Sequence, residues 1–187
     1  MRIIGGRSRG LHLAPVGAGD AAAHLRPTSD RVRESIFNLL INGGYGNPVQ
    51  DARVLDLFAG TGALGLEALS RGASHVTFVD DGATARALLH RNIDLMRAKT
   101  QTETLRRDAC QMGPNPNPAF DLIFLDPPYG KGLGERALAS GAAGGWFAPE
   151  ALVVWEEGTA PPPPVGFDLL DQRKYGDTTV SILRAPA

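Results

Sequence analysis

The apolar run Val54-Leu55-Asp56-Leu57-Phe58 passes without a break into Ala59-Gly60-Thr61-Gly62-Ala63-Leu64-Gly65, and then into a segment with Leu66 and Leu69 at helical spacing. A strand, a glycine turn and a helix form half of a crossover unit, and parallel strands need such crossovers. The pattern then repeats. His75-Val76-Thr77-Phe78-Val79 reads as a second strand ending on Asp80-Asp81. A helix is expected from about Ala83 to Ala98, with Leu88, Leu89, Ile93 and Met96 on one face. Glu103 to Arg107 is a weaker strand before Asp108, and a loop of prolines and asparagines (114–118) leads to Phe120-Asp121-Leu122-Ile123-Phe124-Leu125. A helix over Leu133 to Ser140, a strand over Ala151 to Trp155 and a stiff connector at Pro161 to Pro164 come next. Asp168 to Lys174 and Thr178 to Arg184 close as a hairpin around Tyr175-Gly176-Asp177. Seven mostly parallel strands with a final hairpin predict an α/β fold, a doubly wound sheet.

The chain ahead of Arg53 differs in character. Arg2-Ile3-Ile4 and Leu11-His12-Leu13 read as two short strands joined through the glycines and arginines of residues 5–10, a small N-terminal β-hairpin. Residues 15–24 look like a linker, so residues 1–24 are expected to form an arm and linker and residues 25–187 the main domain. Ser29 or Asp30 can cap a helix whose apolar face is Val32, Ile36, Leu39 and Leu40, with Gly43-Gly44 as its stop. Arg26 and Thr28 lie outside that face and are candidate functional positions. Six arginines in residues 1–33 give a net charge of +4 there, against −5 for the rest. Such an arm suits a polyanion, although arginines solvated beside surface carboxylates would give the same count.

At 187 residues, with 43% hydrophobic content, the chain suits one globular α/β domain. No apolar run approaches the ~20 residues of a membrane span. The first residues lack the apolar core of a signal peptide. Cys110 is the sole cysteine, which excludes an internal disulfide or a cysteine metal cluster. A cytoplasmic protein without a metal is expected.

Gly60-x-Gly62-x-x-Gly65 matches the dinucleotide fingerprint, and Asp80 lies 18 residues beyond Gly62, where a ribose-binding acid would sit. Taken alone, this admits a nicotinamide enzyme. Asp56, inside the first strand, argues for a different nucleotide. A buried carboxylate needs a partner, and the ammonium of a methionine moiety supplies one; a pyrophosphate there would be repelled. Asp108 could accept from an adenine amino group beside the Ala109 backbone, and Asp80 from both ribose hydroxyls. The acids favour S-adenosyl-L-methionine.

Asp126-Pro127-Pro128-Tyr129 stands at the end of a buried strand, where ligands bind in open α/β sheets. Together with Asp56-Leu57-Phe58-Ala59-Gly60-Thr61-Gly62 it resembles the class I S-adenosylmethionine-dependent methyltransferases that modify exocyclic amino nitrogens of bases. Arg2-Ile3-Ile4-Gly5-Gly6 and the run from Arg26-Pro27-Thr28-Ser29-Asp30 to Asn38 narrow this. They resemble the bacterial 16S ribosomal RNA guanine-N2 methyltransferases (the RsmD-like family), over nearly the whole chain. The resemblance implies a Rossmann-like fold and methyl transfer to a guanine amine, with Asp126, Pro127, Pro128 and Tyr129 catalytic. Cofactor contacts are expected from Arg26, Thr28, Asp56, Phe58, Ala59 and Gly60, and from Gly62, Asp80, Asp108, Ala109 and Asp126. RNA contacts are expected from Arg2, Arg7, Arg9, Arg31 and Arg33. Asp80 stands where many relatives carry glutamate, a shorter side chain that still serves a ribose. Because the body is acidic, a small-subunit ribonucleoprotein is the expected substrate, met by a monomer. The tetrapeptide alone would equally suit a DNA adenine-N6 methyltransferase, but so short a chain shows no target-recognition domain. A nicotinamide oxidoreductase leaves the tetrapeptide unexplained, and a non-catalytic RNA-binding module leaves the glycine loop unexplained.

Overall fold

The structure is a computed structural model that describes residues 1–17 and 28–187. Its elements run α1 (Asp30–Asn42), β1 (Arg53–Leu57), α2 (Ala63–Ser70), β2 (His75–Val79), α3 (Ala83–Leu95), β3 (Thr102–Leu105), β4 (Phe120–Leu125), α4 (Leu133–Ala143), β5 (Phe147–Glu157), β6 (Asp168–Tyr175) and β7 (Thr178–Arg184). They build one seven-stranded sheet in the order β3-β2-β1-β4-β5-β7-β6. The first five strands in that order pair in parallel, and β7 runs antiparallel to β5 and β6. The α/β, doubly wound, mostly parallel sheet expected from the sequence is the fold observed.

Strand order decides where a ligand can go. From β1 the chain winds outward through β2 to β3; from β4 it winds the other way to β5. The crevice between β1 and β4 is therefore the switch point, open at the carboxyl ends of the strands. Each strand alternates between two cores. Val54, Val76, Leu122 and Val154 pack with Ile36, Leu66 and Leu89 from α1, α2 and α3. Leu55, Leu57, Ile123, Leu125 and Trp155 pack with Ala137 and Leu138 of α4 on the other side.

Several boundaries and faces differ from expectation. The buried stripe of α1 is Arg33, Ile36, Phe37 and Leu40, while Val32 and Leu39 pack only partly. The stripe is rotated because Phe37 reaches Phe124, their ring centroids 5.6 Å apart. α3 ends at Leu95, where Arg97 adopts a positive φ of 54°, three residues short of the expected end. β3 stops at Leu105, and β5 is longer than expected at both ends.

The N-terminal hairpin is reduced to a single antiparallel bridge, Arg2 to His12. It is held by Ile3 N–H to the Leu11 carbonyl at 2.9 Å and Leu13 N–H to the Met1 carbonyl at 3.0 Å. Ile3 and Leu13 are buried in the same core as α1, α2 and α3. The turn at residues 5–10 is pinned to the end of α2, where Arg7 N–H donates to the Ser70 carbonyl and Ser8 N–H to its hydroxyl. A two-stranded hairpin is marginal alone, and here the main domain supplies its packing.

Candidate active site

β1, β2 and β4 end level with one another, and β5 runs two residues further. Leu57 pairs with Val79 and Leu125, and Leu125 pairs with Trp155. The residues next in line are Phe58, Asp80, Asp126 and Glu156, so three acids share one rim. Asp56 pairs with Phe124, which faces the α1–α3 core, as does Val154. Strand alternation then turns Asp56, Asp126 and Glu156 to that same side of the crevice.

Among the described residues, their environment is short of cations. Asp56 is 1% exposed, and its Oδ2 accepts from Gly65 N–H at 3.0 Å. Burial pushes its carboxyl well above the ordinary range, and Asp80 and Glu156 push it further. Asp126 remains partly accessible at the rim. Burial, then the charges of Glu156 and Asp56, raise its carboxyl strongly, against a lowering bond from Thr28. Glu156 is raised to about 7, by burial, despite Thr28 and Arg33. Among the described residues, ion pairs reach Asp30, Glu67, Asp94 and Asp171, and none reaches these three acids. Carboxylates gathered without a countercharge suit a ligand that brings positive charge.

The loop around the glycines is shaped for both packing and access. Phe58 has a φ of 56°, turning the chain sharply out of β1, and Ala59 N–H holds the turn on the Val79 carbonyl at 3.0 Å. Gly62 has a φ of 80°, and a Cβ on it would lie 2.4 Å from Leu89 Cδ1. A Cβ on Gly65 would lie 2.4 Å from the Phe78 ring. Neighbouring side chains thus occupy the space beside both glycines, which let α2 sit tightly on β2 and α3. Gly60 faces the acids: its N–H donates to Asp80 Oδ2 at 2.9 Å, while Asp80 Oδ1 accepts from Gly82 at 2.8 Å. Each Asp80 oxygen retains a lone pair for a ribose hydroxyl. Asp108 lies three residues past β3 in a turn of its own, its Oδ1 accepting from Cys110 N–H at 2.8 Å. Ala109 is buried beside it.

The Asp126–Tyr129 loop is fixed from the β5 and β7 side. Glu157 Oε1 accepts from Gly130 N–H at 3.0 Å and Gly158 N–H at 3.4 Å. Tyr129 is 39% exposed, and its hydroxyl bonds Thr178 Oγ1 at 3.0 Å. Burial raises its phenol to about 12, so that it stays protonated. An exposed ring with its edge tied down can serve as a stacking platform. Pro127 is buried and Pro128 half-buried between the acid and the ring.

Thr28, fully packed before α1, reaches this site: its hydroxyl lies 3.4 Å from Asp126 Oδ2 and 3.0 Å from Glu156 Oε1. Arg26 lies outside the described residues. Of the arginines expected to meet RNA, Arg2, Arg7, Arg9 and Arg31 are exposed. Arg33 is not. It is fully buried, with Nε on Glu67 Oε1 at 3.2 Å and further bonds to the Arg2 and Thr28 carbonyls and to Asp30. Every direction of its guanidinium is used internally, so it cannot hold a phosphate. Arg7 caps Gln101 Oε1 at 2.7 Å, at the end of α2 remote from the glycine loop. Sequence reasoning missed Glu156, Glu157 and Thr178. Two consecutive glutamates closing an apolar strand were a usable signal for the first pair, whereas Thr178 has none.

Comparison with known proteins places the chain in a family. The chain matches the model of the family described as Conserved hypothetical protein 95 over residues 1–184. It is 36% identical to the Ribosomal RNA small subunit methyltransferase D of Haemophilus influenzae, over 94% of this chain and 89% of that one. Its identity to the protein of the same name from Escherichia coli K12 is 34%, over 100% of this chain and 91% of the relative. The solved structure of yhhF from Escherichia coli superposes with a TM-score of 0.82 at 34% identity, covering 100% of this chain and 98% of the other. With a match along nearly its whole length, this chain belongs to the Conserved hypothetical protein 95 family, alongside the small-subunit ribosomal RNA methyltransferases D.

Proposed function

We propose that this protein transfers a methyl group from S-adenosyl-L-methionine to the exocyclic N2 of a guanine in 16S ribosomal RNA. It is a methyltransferase by family, and methyl transfer to ribosomal RNA is what its relatives' names describe. The single observation that carries the reading is the position of Asp126. It stands at the β1/β4 switch point, on the same side as the cation-poor acid Asp56, with the pinned ring of Tyr129 beside it.

The donor's sulfonium supplies an activated methyl and a positive charge. Asp56 would hold its ammonium, Asp80 its ribose hydroxyls, and Asp108 with the Ala109 backbone its adenine. A positive charge among these acids lowers their proton affinity and favours the ionised form of Asp126. Asp126 and the Pro127 carbonyl accept the two N–H bonds of the base amine, turning its lone pair out of conjugation and into line for displacement. Asp126 also stabilises the charge that develops on nitrogen. Tyr129 stacks on the base, a contact worth roughly 1–3 kcal/mol, which helps offset extraction of the base from its stack.

The exposed Arg2, Arg7, Arg9 and Arg31 supply phosphate contacts. Because residues 1–33 carry a net charge of +4 and the rest of the chain −5, an assembled small-subunit particle in the cytoplasm, engaged by a monomer, is the substrate that suits the surface. No helix among the described residues is long and apolar enough to cross a membrane.

Calorimetry tests the donor site: S-adenosylhomocysteine should bind at micromolar levels, and NAD should not. Small subunits from a deletion strain should accept labelled methyl and yield N2-methylguanosine on digestion. Asp126→Ala should lower transfer at least 10³-fold while homocysteine-product binding stays within a few-fold. Tight NAD binding without product binding would overturn the reading, and N6-methyladenine formed on DNA would support the alternative base.

A further inference from the structure

We propose that Thr28 joins Asp126 to Glu156 as a proton relay, with Glu156 taking up the proton that the base amine sheds on methylation. This rests on the reading of Asp126 as the acceptor of that amine.

The geometry is specific. Asp126 and Glu156 each follow directly on the paired residues Leu125 of β4 and Trp155 of β5. Thr28 Oγ1 lies within hydrogen-bond distance of both, 3.4 Å from Asp126 Oδ2 and 3.0 Å from Glu156 Oε1. A threonine hydroxyl has one proton and two lone pairs. It can donate to one carboxylate, and the other contact is satisfied only if that carboxyl itself carries a proton. Two acids sharing one hydroxyl are the arrangement in which a proton can pass between them. Glu156 is 2% exposed and so does not touch the base; it acts through Thr28.

The surroundings support this role. Among the described residues, the charged and titratable groups facing Glu156 are Asp126 just past β4, Tyr129 from the loop beyond it, Asp56 from β1 and Arg33 from α1. On β7 its register partner is Val180. Arg33 does not neutralise Glu156 by direct contact, because its nitrogens are taken by Glu67, Asp30 and the carbonyls of Arg2 and Thr28. One of those bonds, Arg33 Nη1 to the Thr28 carbonyl at 3.2 Å, holds the relay threonine in place. Glu156 raised to about 7 makes it a competent acceptor at neutral pH.

The step balances without another reactant. As the nitrogen–carbon bond forms and the carbon–sulfur bond breaks, the nitrogen carries two hydrogens and a positive charge. One N–H bond breaks, its electron pair returns to nitrogen, and the proton goes to the Asp126 carboxylate. Asp126 passes it to Thr28 Oγ1 while the threonine's own proton moves to Glu156. The product amine and Glu156 end neutral, Asp126 is again an anion, and Glu156 later gives its proton to water.

Two measurements test this, one on the ligand-free protein. Infrared difference titration should show a carboxyl titrating near pH 7 that is absent in Glu156→Gln, displaced in Thr28→Val and retained in Thr28→Ser. Single-turnover methylation of small subunits should rise with pH to a plateau in the wild type, with a midpoint below that of the ligand-free carboxyl because the donor's positive charge lowers it. Glu156→Gln and Thr28→Val should lower that plateau on the order of 10²-fold and flatten the profile. Thr28→Ser should stay within a few-fold, and Glu156→Gln should bind S-adenosylhomocysteine normally. A wild-type rate and profile in Glu156→Gln, with Asp126→Ala still inactive, overturns the relay alone. Activity in Asp126→Ala would instead overturn the reading on which it rests.

Discussion

Tyr129 shows how much of the site depends on contacts outside the tetrapeptide. Its ring edge is tied by Thr178, and Gly158 lies against it so closely that a Cβ there would be 3.0 Å from Tyr129 Cδ2. Tyr129→Ala should raise KM for RNA by the loss of stacking, roughly 1–3 kcal/mol. Tyr129→Phe keeps the stack and loses only the Thr178 bond, so it should cost less than Tyr129→Ala. Gly158→Ala should fall between them by displacing the ring; steady-state kinetics on small subunits would check all three, and equal KM values would remove the stacking role. Asp56, Asp80 and Asp126 were legible in the sequence because each follows or interrupts an apolar run, where an acid is out of place. Glu156 carries the same signal, an acid closing an apolar run, but only the pairing of Leu125 with Trp155 shows that it stands beside Asp126. Arg33 was misread with the exposed arginines. The spacing of Arg33, Ile36, Phe37 and Leu40 places it in the buried helical stripe, a signal that counting charge overlooks.

At the level of elements, the joint between the arm and the body is Glu67 on α2. Fully buried, it accepts from the N–H groups of Ile4 and Gly5, each at 2.9 Å, and pairs with Arg33 at 3.2 Å and Arg71 at 2.8 Å. A carboxylate with four donors is well satisfied, whereas either arginine left without it is not. Glu67→Ala should destabilise the protein by about 3–5 kcal/mol and expose the Ile4 and Gly5 amides to rapid hydrogen exchange. Slow exchange at those amides in the variant would show the arm docked by other contacts. The docking also fixes where the arm's arginines point. The eight residues of α2 span about 12 Å, and Arg7 sits at the end away from the glycine loop. Replacing Arg7 and Arg9 with alanine should therefore weaken RNA binding and lower its salt dependence, while leaving single-turnover rates at saturating RNA unchanged. The strand–helix alternation from Arg53 onward was readable because periodicity switches cleanly between the two kinds of element. The arm was half readable: its turn residues were visible, but its burial along α2 depends on Glu67, which looks like any helical glutamate.

Across the whole molecule, the acids that favour a cationic ligand must weaken the ligand-free fold as they ionise. Glu156 moves from 4.5 to about 7 on folding. Between those values the folded state holds a proton that the unfolded state has lost, so stability falls as pH rises through that window and levels off above about 7. Asp56 and Asp126, both raised by burial, act in the same direction. His75, lowered by burial, acts in the opposite one, adding stability as pH rises towards its unfolded value of 6.5. A comparison with Glu156→Gln isolates the glutamate. The variant should match the wild type near pH 4.5 and become more stable than it by pH 8, on the order of a few kcal/mol for a shift of this size. For a chain of this length each kcal/mol moves Tm by roughly 2–4 °C, well within the resolution of scanning calorimetry. S-adenosyl-L-methionine, bringing positive charge to the same acids, should raise the wild-type Tm more at pH 8 than at pH 5.5 at equal saturation. A Tm gap between variant and wild type that stays constant from pH 5 to 8 would mean that Glu156 does not titrate in the fold, and the countercharge argument for the site would lose its strongest member.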